Sequence, residues 1–154
     1  MNTNDARSLI TSLVVTHPEN QVCFDCNGPK AHYVVADYGI FVCEACSESH
    51  AMISTTKGKS ILTEEHVWTE DEMLALQLGG NARAKLYFER AFLPTKAVGR
   101  GAIKQKYVGQ AAEEYKTKLQ YDCRLAFKRY EDKCKGKNER GKRKKKRKRR
   151  VKVV

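Results

Sequence analysis

The sequence lacks both a long hydrophobic run and a secretory signal. No stretch reaches the roughly 20 apolar residues that a membrane-spanning helix needs. The short run from Leu9 to Val15 follows Asp5, where a signal peptide would carry positive charge. Internal repeats are absent as well. We therefore expect an intracellular protein in a reducing compartment, where paired cysteines favour metal binding over disulfide formation.

Acidic residues are almost absent from the C-terminal segment. Residues 135–154 contain 13 Lys or Arg and only Glu139, whereas residues 1–134 contain 17 Lys or Arg and 17 Asp or Glu. The net charge of +12 therefore belongs to this tail. The rest of the chain is electrically balanced and gives no sign of binding a polyanion by itself.

The tail contains nine consecutive basic residues and no aromatic residue. The tail could bind an acidic membrane surface, RNA or an acidic protein, or a nuclear import receptor. The remaining alternative is a tail that is merely solvated. The lack of aromatic side chains argues against base stacking. Too few apolar residues are present to order the segment, so we expect it to be disordered. The predicted anion-binding residues are Lys142, Arg143, Lys144, Lys145, Lys146, Arg147, Lys148, Arg149 and Arg150.

Four of the six cysteines form the pattern Cys23-x2-Cys26-x16-Cys43-x2-Cys46. Two such pairs supply the four thiolates of a tetrahedral zinc ion, so we expect one structural Zn²⁺. Four protein ligands leave no open position for substrate or water, which excludes metal-based catalysis. Buried free cysteines and a redox pair are the alternatives. The two other cysteines, Cys123 and Cys134, lie on the apolar stripe of a predicted helix, and we expect both in the core.

The periodicity of apolar residues predicts an α+β fold that is mainly α, with a small four-cysteine zinc finger and a short β-hairpin surrounded by helices. A capping box at Thr69 and Glu72 starts one helix, and we expect Asn81 to cap the next. The last helix is predicted to be the longest. Helices are expected at 5–16, 43–53, 69–78, 81–92 and 108–134, strands at 31–36, 39–42 and 61–62, and a linker at 94–103.

We divide the chain into three parts: a zinc domain at 1–122, an extension of the last helix at 123–135 and the basic tail at 136–154. The apolar stripe of the last helix continues through Phe127 and Tyr130, which raises the hypothesis of a partner helix or of self-association there.

The residues around the cysteines are similar to those of a known family. Four features carry the similarity in order: the cysteine spacing, the Tyr-Gly-Ile-Phe-Val-Cys segment, the Gly-Gly-Asn segment and the last helix. His50, four residues after the last cysteine, and Trp68, eighteen residues later, match as well. The matching segments are Val22-Cys-Phe-Asp-Cys26, Tyr38-Gly-Ile-Phe-Val-Cys43, Gly79-Gly80-Asn81-Ala82, and Tyr107, Ala111, Ala112, Tyr115 and Lys118. Over roughly residues 5–120 the chain resembles the Arf-GAP domain family.

The resemblance implies a domain that accelerates GTP hydrolysis on Arf-type small GTPases. Family members present an arginine just after the histidine that corresponds to His50, and such arginines are worth about 10³–10⁵ in rate. In this sequence that position is Ala51. The nearest arginines are Arg7 and Arg83, so only a lysine, Lys57 or Lys59, could stand in. Lysine lacks the planar fork of arginine, and we expect weak or absent activation and no catalytic residue in the family position.

Two functions follow from the resemblance and the tail. The first is a regulator of an Arf-type GTPase in vesicle trafficking, in the cytoplasm or at Golgi-type membranes, with His50, Lys57 and Lys59 as partner-binding residues. The second is a pseudo-GAP interaction module whose tail binds RNA, a ribonucleoprotein or another acidic assembly, including in the nucleus. A zinc-finger nucleic-acid binder is a weaker third, because the domain has no net charge. We expect no small-molecule substrate, and no enzymatic activity of the chain itself.

Overall fold

The computed structural model describes residues 3–53, 58–63 and 66–151, with side chains described for residues 5–53, 58–63 and 66–135. The fold is mainly helical with one small sheet, which confirms the predicted fold class. The helices are α1 Thr3–Thr16, α2 Glu44–Ile53, α3 Glu70–Leu78, α4 Asn81–Arg90, α5 Arg100–Tyr107 and α6 Gln110–Val151; the strands are β1 Tyr33–Val35, β2 Ile40–Val42 and β3 Lys59–Ser60.

The sheet has three antiparallel strands in the order β2-β1-β3. The predicted hairpin is β1 and β2, which pair from Tyr33 opposite Val42 to Val35 opposite Ile40. Gly39 closes its turn with a φ of 59°, and a Cβ there would meet the carbonyl oxygen of Ala75 at 2.5 Å. The third strand lies at Lys59–Ser60 instead of 61–62, because pairing with β1 sets its position.

The hairpin separates two hydrophobic clusters. Because successive side chains of a strand point to opposite faces, Val35, Ile40 and Val42 pack on one side, whereas Val34 and Phe41 pack on the other. The first cluster contains the cysteine pairs and the aromatic residues Phe24, Tyr38, Phe88, Tyr107 and Tyr115. The second contains residues of α1 and α3, among them Ile10, Leu13, Met73 and Leu76. The first cluster therefore surrounds the predicted zinc site.

The capping box that the sequence predicted is present at the start of α3. The Glu72 backbone N–H donates to Thr69 Oγ1 at 3.2 Å, and the Thr69 N–H donates to Glu72 Oε2 at 2.9 Å. By contrast, the prediction that Asn81 caps α4 is wrong, because Gly80 occupies the cap position.

Asn81 instead joins three segments of the buried backbone. Its Oδ1 accepts from the Phe41 N–H at 2.8 Å, and its Nδ2 donates to the carbonyl oxygens of Val22 at 2.8 Å, Glu19 at 3.0 Å and Phe41 at 3.0 Å. Asn20 Oδ1 accepts from the Asn81 N–H at 2.9 Å. These bonds fix the segment that precedes the first cysteine pair against β2 and α4. They also satisfy polar groups that would be costly to bury without a partner.

The region predicted as a linker contains a helix. Within 94–103, α5 begins at Arg100, and it buries Ile103, Lys106 and Tyr107. The local signals of Gly99 and Gly101 favour a loop, but burial of Ile103 and Tyr107, one turn apart on one face, stabilises the helix. The predicted long helix is confirmed as α6, which is 42 residues long.

The packed part of α6 ends sooner than its apolar stripe suggests. Cys123 is buried, as predicted, but Cys134 is exposed, so the prediction that both are in the core is wrong for Cys134. Phe127 and Tyr130 are 42% and 67% exposed. The described part of the chain offers no second layer for this stretch, because the last core contacts of α6 are those of Leu119 and Cys123 with Leu74, Ala75 and Leu78.

The backbone of α6 remains helical to Val151, which differs from the disorder expected for the tail. Extending an existing helix adds one hydrogen bond for each residue that is fixed, and Lys and Arg are good helix formers. Apolar burial is therefore not needed for the tail to continue the helix. Among the described residues, no helix is both long and apolar enough to cross a membrane.

Candidate functional site

The four cysteines of the two pairs come together as the sequence predicted. Their Sγ atoms all lie within 4.8 Å of one another, and Cys26 Sγ is 3.7 Å from Cys43 Sγ. The first pair lies in a turn in which the Cys23 N–H donates to the Gly28 carbonyl and the Asn27 N–H donates to the Cys23 carbonyl. The second pair flanks the start of α2. The hairpin between the two pairs brings them into contact.

The geometry and chemistry of this cluster fit zinc. With Zn–S bonds of about 2.3 Å, the edge of a tetrahedron of sulfurs is about 3.8 Å, which is close to the Cys26–Cys43 separation. The hydrogen bond between the two thiols lowers the pKa of Cys23 to about 5 and raises the pKa of Cys46, so one proton is held between these two sulfurs in the absence of an ion. The four cysteines form a structural zinc site, as predicted, in which Zn²⁺ would link the first turn to α2.

Asp25 lies between the first two cysteines and is the centre of a buried polar cluster. Its Oδ2 is 2.8 Å from His50 Nε2, and its Oδ1 accepts from Lys106 Nζ at 2.7 Å and from the Tyr107 hydroxyl at 2.7 Å. Lys106 Nζ also donates to the Thr95 carbonyl at 2.8 Å and lies 4.1 Å from the centre of the Phe24 ring. The cluster therefore connects the first cysteine turn to α2 and α5.

Burial and charge oppose each other within this cluster. Burial alone would raise the pKa of Asp25, but the hydrogen bond with His50 and the charge of Lys106 lower it overall. Burial lowers the pKa of Lys106, and Asp25 offsets part of that effect. The pKa of Tyr107 is raised well above its ordinary value, first by burial and then by the Asp25 charge. Asp25 is therefore held as a carboxylate by partners that are themselves removed from water.

His50 is fully buried, which limits what its side chain can do for a partner. Besides Asp25, its ring contacts Tyr107, with ring centres 4.5 Å apart. Its Nδ1 has no hydrogen-bond partner among the described residues. His50 was predicted to bind a partner; the structure places it where it fixes α2, so any effect on a partner surface is indirect.

Ala51 follows His50 on α2 and is partly exposed. Of the two predicted lysines, Lys57 lies outside the described residues, and Lys59 forms an ion pair. Lys59 Nζ lies 2.6 Å from Glu72 Oε1, donates to the Val67 carbonyl at 3.0 Å and is 5.4 Å from the centre of the Trp68 ring. Lys59 therefore fastens β3 to the start of α3.

The ion pair also changes the titration of Glu72. Burial alone would raise the pKa of this carboxyl, but hydrogen bonds from Lys59 and from the Thr69 backbone lower it overall. Both side chains are largely withdrawn from solvent, with 27% and 21% of their surfaces exposed. A movement of Lys59 toward a partner would break these contacts.

The two nearest arginines are also engaged. Arg83 donates to the Leu78 carbonyl at 2.8 Å and to Asp122 Oδ2 at 2.5 Å, which ties α4 to α6. Arg7 donates to the Leu62 carbonyl at 3.5 Å. No arginine occurs in the sequence between these two residues. The loop after α2 therefore has no arginine of its own to present.

Sequence reasoning identified the zinc ligands but missed the Asp25–Lys106 pair. These residues are 81 positions apart, and Lys106 occurs in a stretch rich in lysine, where nothing distinguishes it from a solvated side chain. The one local signal is an acidic residue between two thiolate ligands, a place that disfavours an uncompensated negative charge and so favours a buried cation nearby.

A closed site of four cysteines, held between a small antiparallel sheet and surrounding helices, defines a structural zinc-finger domain. The family model "ArfGap", described as "Putative GTPase activating protein for Arf", matches residues 8–124. The chain belongs to this family.

Relatives and solved structures agree with this assignment. The chain is 31% identical over 114 residues to ADP-ribosylation factor GTPase-activating protein 3 of Rattus norvegicus, a match covering 73% of this chain and 21% of the relative. It is 30% identical over 82 residues to ADP-ribosylation factor GTPase-activating protein AGD12 of Arabidopsis thaliana, covering 53% of this chain and 24% of the relative. The chain thus spans between a fifth and a quarter of the length of these relatives.

The fold is shared with solved Arf-GAP structures. A "putative GTPase activating protein for ADP ribosylation factor" from Cryptosporidium parvum matches with a TM-score of 0.66 and 21% identity, over 80% of this chain and 94% of that chain. The ArfGap domain of HIV-1 Rev binding protein matches with a TM-score of 0.57 and 24% identity, over 73% and 86% of the two chains. At this level of identity the likeness concerns the fold.

Proposed function

We propose that this chain binds an Arf-type small GTPase and stimulates its GTP hydrolysis weakly or not at all. One observation carries the proposal: Ala51 occupies the family's arginine position, while Lys59 is held by Glu72 with an Nζ–Oε1 distance of 2.6 Å. Membership of the Arf-GAP family supports the choice of GTPase class. The chain would then be a regulator or effector, and the GTPase would carry out the chemistry.

The magnitude of the missing contribution supports weak activity. An arginine supplied to a GTPase is worth about 10³–10⁵ in rate because it stabilises charge on the transferring phosphoryl group. An alanine side chain offers no charge. Lys59 would have to leave Glu72 and the Val67 carbonyl, and it would then offer a single ammonium group without the bidentate fork of arginine.

The proposed setting is the cytoplasmic side of a trafficking membrane. Membership of a family described as a GTPase activating protein for Arf supports a place beside such a GTPase. The nine basic residues from Lys142 to Arg150 are proposed to bind an anionic surface. Each Lys or Arg near an acidic bilayer contributes roughly 1 kcal/mol, so nine in succession would suffice for recruitment at moderate salt.

Single-turnover GTP hydrolysis by an Arf-family GTPase on acidic vesicles tests the proposal. We expect little acceleration of GTP hydrolysis by the wild type and a large acceleration by Ala51→Arg. Ala51→Lys is the matched control, because lysine supplies the charge without the bidentate guanidinium group, and we expect a smaller acceleration. Strong stimulation by the wild type would contradict the proposal. Inactivity of the wild type and of both variants, together with no GTPase binding, would remove the GTPase as partner.

A pseudo-GAP interaction module is the second candidate, and the engagement of Lys59, Arg83 and Arg7 within the domain favours it. In this case the zinc fold serves as a scaffold and the tail binds RNA, a ribonucleoprotein or another acidic assembly. Filter binding to RNA at several salt concentrations, compared with vesicle co-sedimentation, separates the two. A steep loss of RNA affinity with salt and no vesicle binding would favour this candidate.

A further inference from the structure

Although the domain has no net charge, one segment of it contains basic residues and no acidic residue. Between Glu89 and Glu113 the sequence contains Arg90, Lys96, Arg100, Lys104 and Lys106 and no Asp or Glu. Lys106 is buried against Asp25, but the other four are exposed. Among the described residues none of these four forms an ion pair. The segment of residues 90–104, called here the 90–104 edge, therefore exposes charges of one sign only, which the net charge of the domain does not reveal.

Two apolar side chains are exposed within the same edge. Phe92 is 97% exposed and Val98 is 63% exposed. The backbone between them is anchored, because the Ala97 N–H donates to the Asp25 carbonyl at 2.7 Å and the Thr95 carbonyl accepts from Lys106 at 2.8 Å. The exposure of Phe92 and Val98 is thus built into a segment that is fastened to the zinc turn.

The backbone at Phe92 adds an independent observation. Its φ is 55°, in the left-handed region that a residue with a bulky side chain seldom adopts. Folding gains nothing from the ring, which contacts almost only solvent, and glycine would suit this backbone better. A fully exposed aromatic residue held in an unfavourable conformation indicates a role outside the fold.

We propose that the 90–104 edge docks on the surface of an anionic lipid bilayer, with Phe92 and Val98 entering the interface and Arg90, Lys96, Arg100 and Lys104 meeting lipid phosphates. Apolar side chains interleaved with cations are typical of interfacial membrane segments. A protein partner would be matched by a mixture of both charge signs and hydrogen-bonding groups, and this edge has no carboxylate.

The edge and the basic tail would then act as two membrane contacts of the same charge on one chain. Stable attachment to a bilayer generally needs two such signals, since one alone is weak and reversible. The edge requires neither a GTPase nor nucleotide, so it can be tested with vesicles and the full chain alone. If the edge did not bind vesicles, the proposed binding of the GTPase would be unaffected.

The first test replaces Phe92 with tryptophan in the full chain. On phosphatidylcholine–phosphatidylserine vesicles, Phe92→Trp should show a blue-shifted emission and quenching by brominated acyl chains. The wild type is the control, because its single tryptophan, Trp68, lies outside the edge and should show neither change. Unchanged emission of Phe92→Trp on vesicles that have bound the protein would overturn the proposal, because the tail alone would then account for binding.

The second test separates membrane contact from folding. Phe92→Gly removes the ring and relieves the left-handed backbone, so the melting temperature should stay equal or rise, while affinity for the same vesicles should fall about tenfold or more. Tyr130→Ser removes an exposed aromatic residue elsewhere, on α6, and should leave affinity unchanged. Equal affinity of Phe92→Gly and the wild type, or equal losses in both variants, would overturn the proposal.

Discussion

Asp25 connects the metal chemistry of this domain to its core. A carboxylate between two thiolate ligands adds negative charge where the metal site already concentrates it. Lys106 compensates this charge, because it is buried with Asp25 and its Nζ lies 2.7 Å from Asp25 Oδ1. The pair lies under the segment that leads to α5, so the zinc turn and α5 depend on each other for their placement.

Asp25→Asn should destabilise the domain by about 3–5 kcal/mol, because the substitution leaves Lys106 buried without a counter-charge. Guanidinium unfolding of the zinc-loaded protein measures this loss. Asp37→Asn is the matched control: Asp37 pairs with Lys116 near the surface, where both side chains are about a quarter exposed, and its loss should be about 1 kcal/mol or less. Adding Lys106→Met to Asp25→Asn should recover part of the stability. Equal losses for the two single variants would contradict this account.

The elements that the sequence predicted correctly are those with local signals. The helical spacing of Ile10 and Leu13, the break at Tyr38-Gly39 in the hairpin and the Thr69–Glu72 capping box each specify structure within a few residues. The zinc ligands belong to the same group, since a two-residue gap lets one turn direct both sulfurs to the same ion.

The elements that the sequence misplaced depend on distant partners. Asparagine is a residue type that often caps helices. The side-chain amide of Asn81 instead donates to the backbone carbonyls of Glu19, Val22 and Phe41, roughly 40 to 60 residues away. Gly99 before α5 and Gly101 in its first turn favour a loop, and only the buried cluster around Tyr107 explains a helix there. Cys134 has the spacing of a core residue, but the helix has already passed its last neighbour.

Thr69→Ala should shorten or loosen the start of α3 and cost about 1 kcal/mol, because it removes the acceptor of the Glu72 N–H. Thermal unfolding followed by circular dichroism measures the change. Thr69→Ser retains the hydroxyl and should behave like the wild type. If the serine and alanine variants lose the same stability, the methyl group rather than the capping bond would be the important feature of Thr69.

At the scale of the whole molecule, the zinc ion stands in for a large hydrophobic core. Both hydrophobic clusters pack against the hairpin, and the four cysteine sulfurs come from the segments at either end of that hairpin. Since a structural zinc ion contributes its binding energy to folding, the order of the domain should depend on the metal.

Removal of zinc by a strong chelator should unfold the domain cooperatively, with loss of helical signal and of the near-ultraviolet signal of the buried tyrosines. Cys26→Ser should behave similarly even without chelator. Cys134→Ser is the matched control, because that thiol is exposed and outside the cluster, and it should retain zinc and stability. A chelated wild type with an unchanged melting temperature would show that the hydrophobic clusters suffice.

The length of α6 separates the zinc domain from the end of the basic tail. Beyond Cys123 the helix continues for 28 residues to Val151, which at about 1.5 Å per residue corresponds to about 40 Å. Electrostatic screening at physiological salt acts over about 8 Å, so the charge of the tail end is not felt at the zinc domain. The helix therefore acts as a spacer, and the two proposed membrane contacts at its ends would be coupled by their attachment to one chain and not by direct electrostatics.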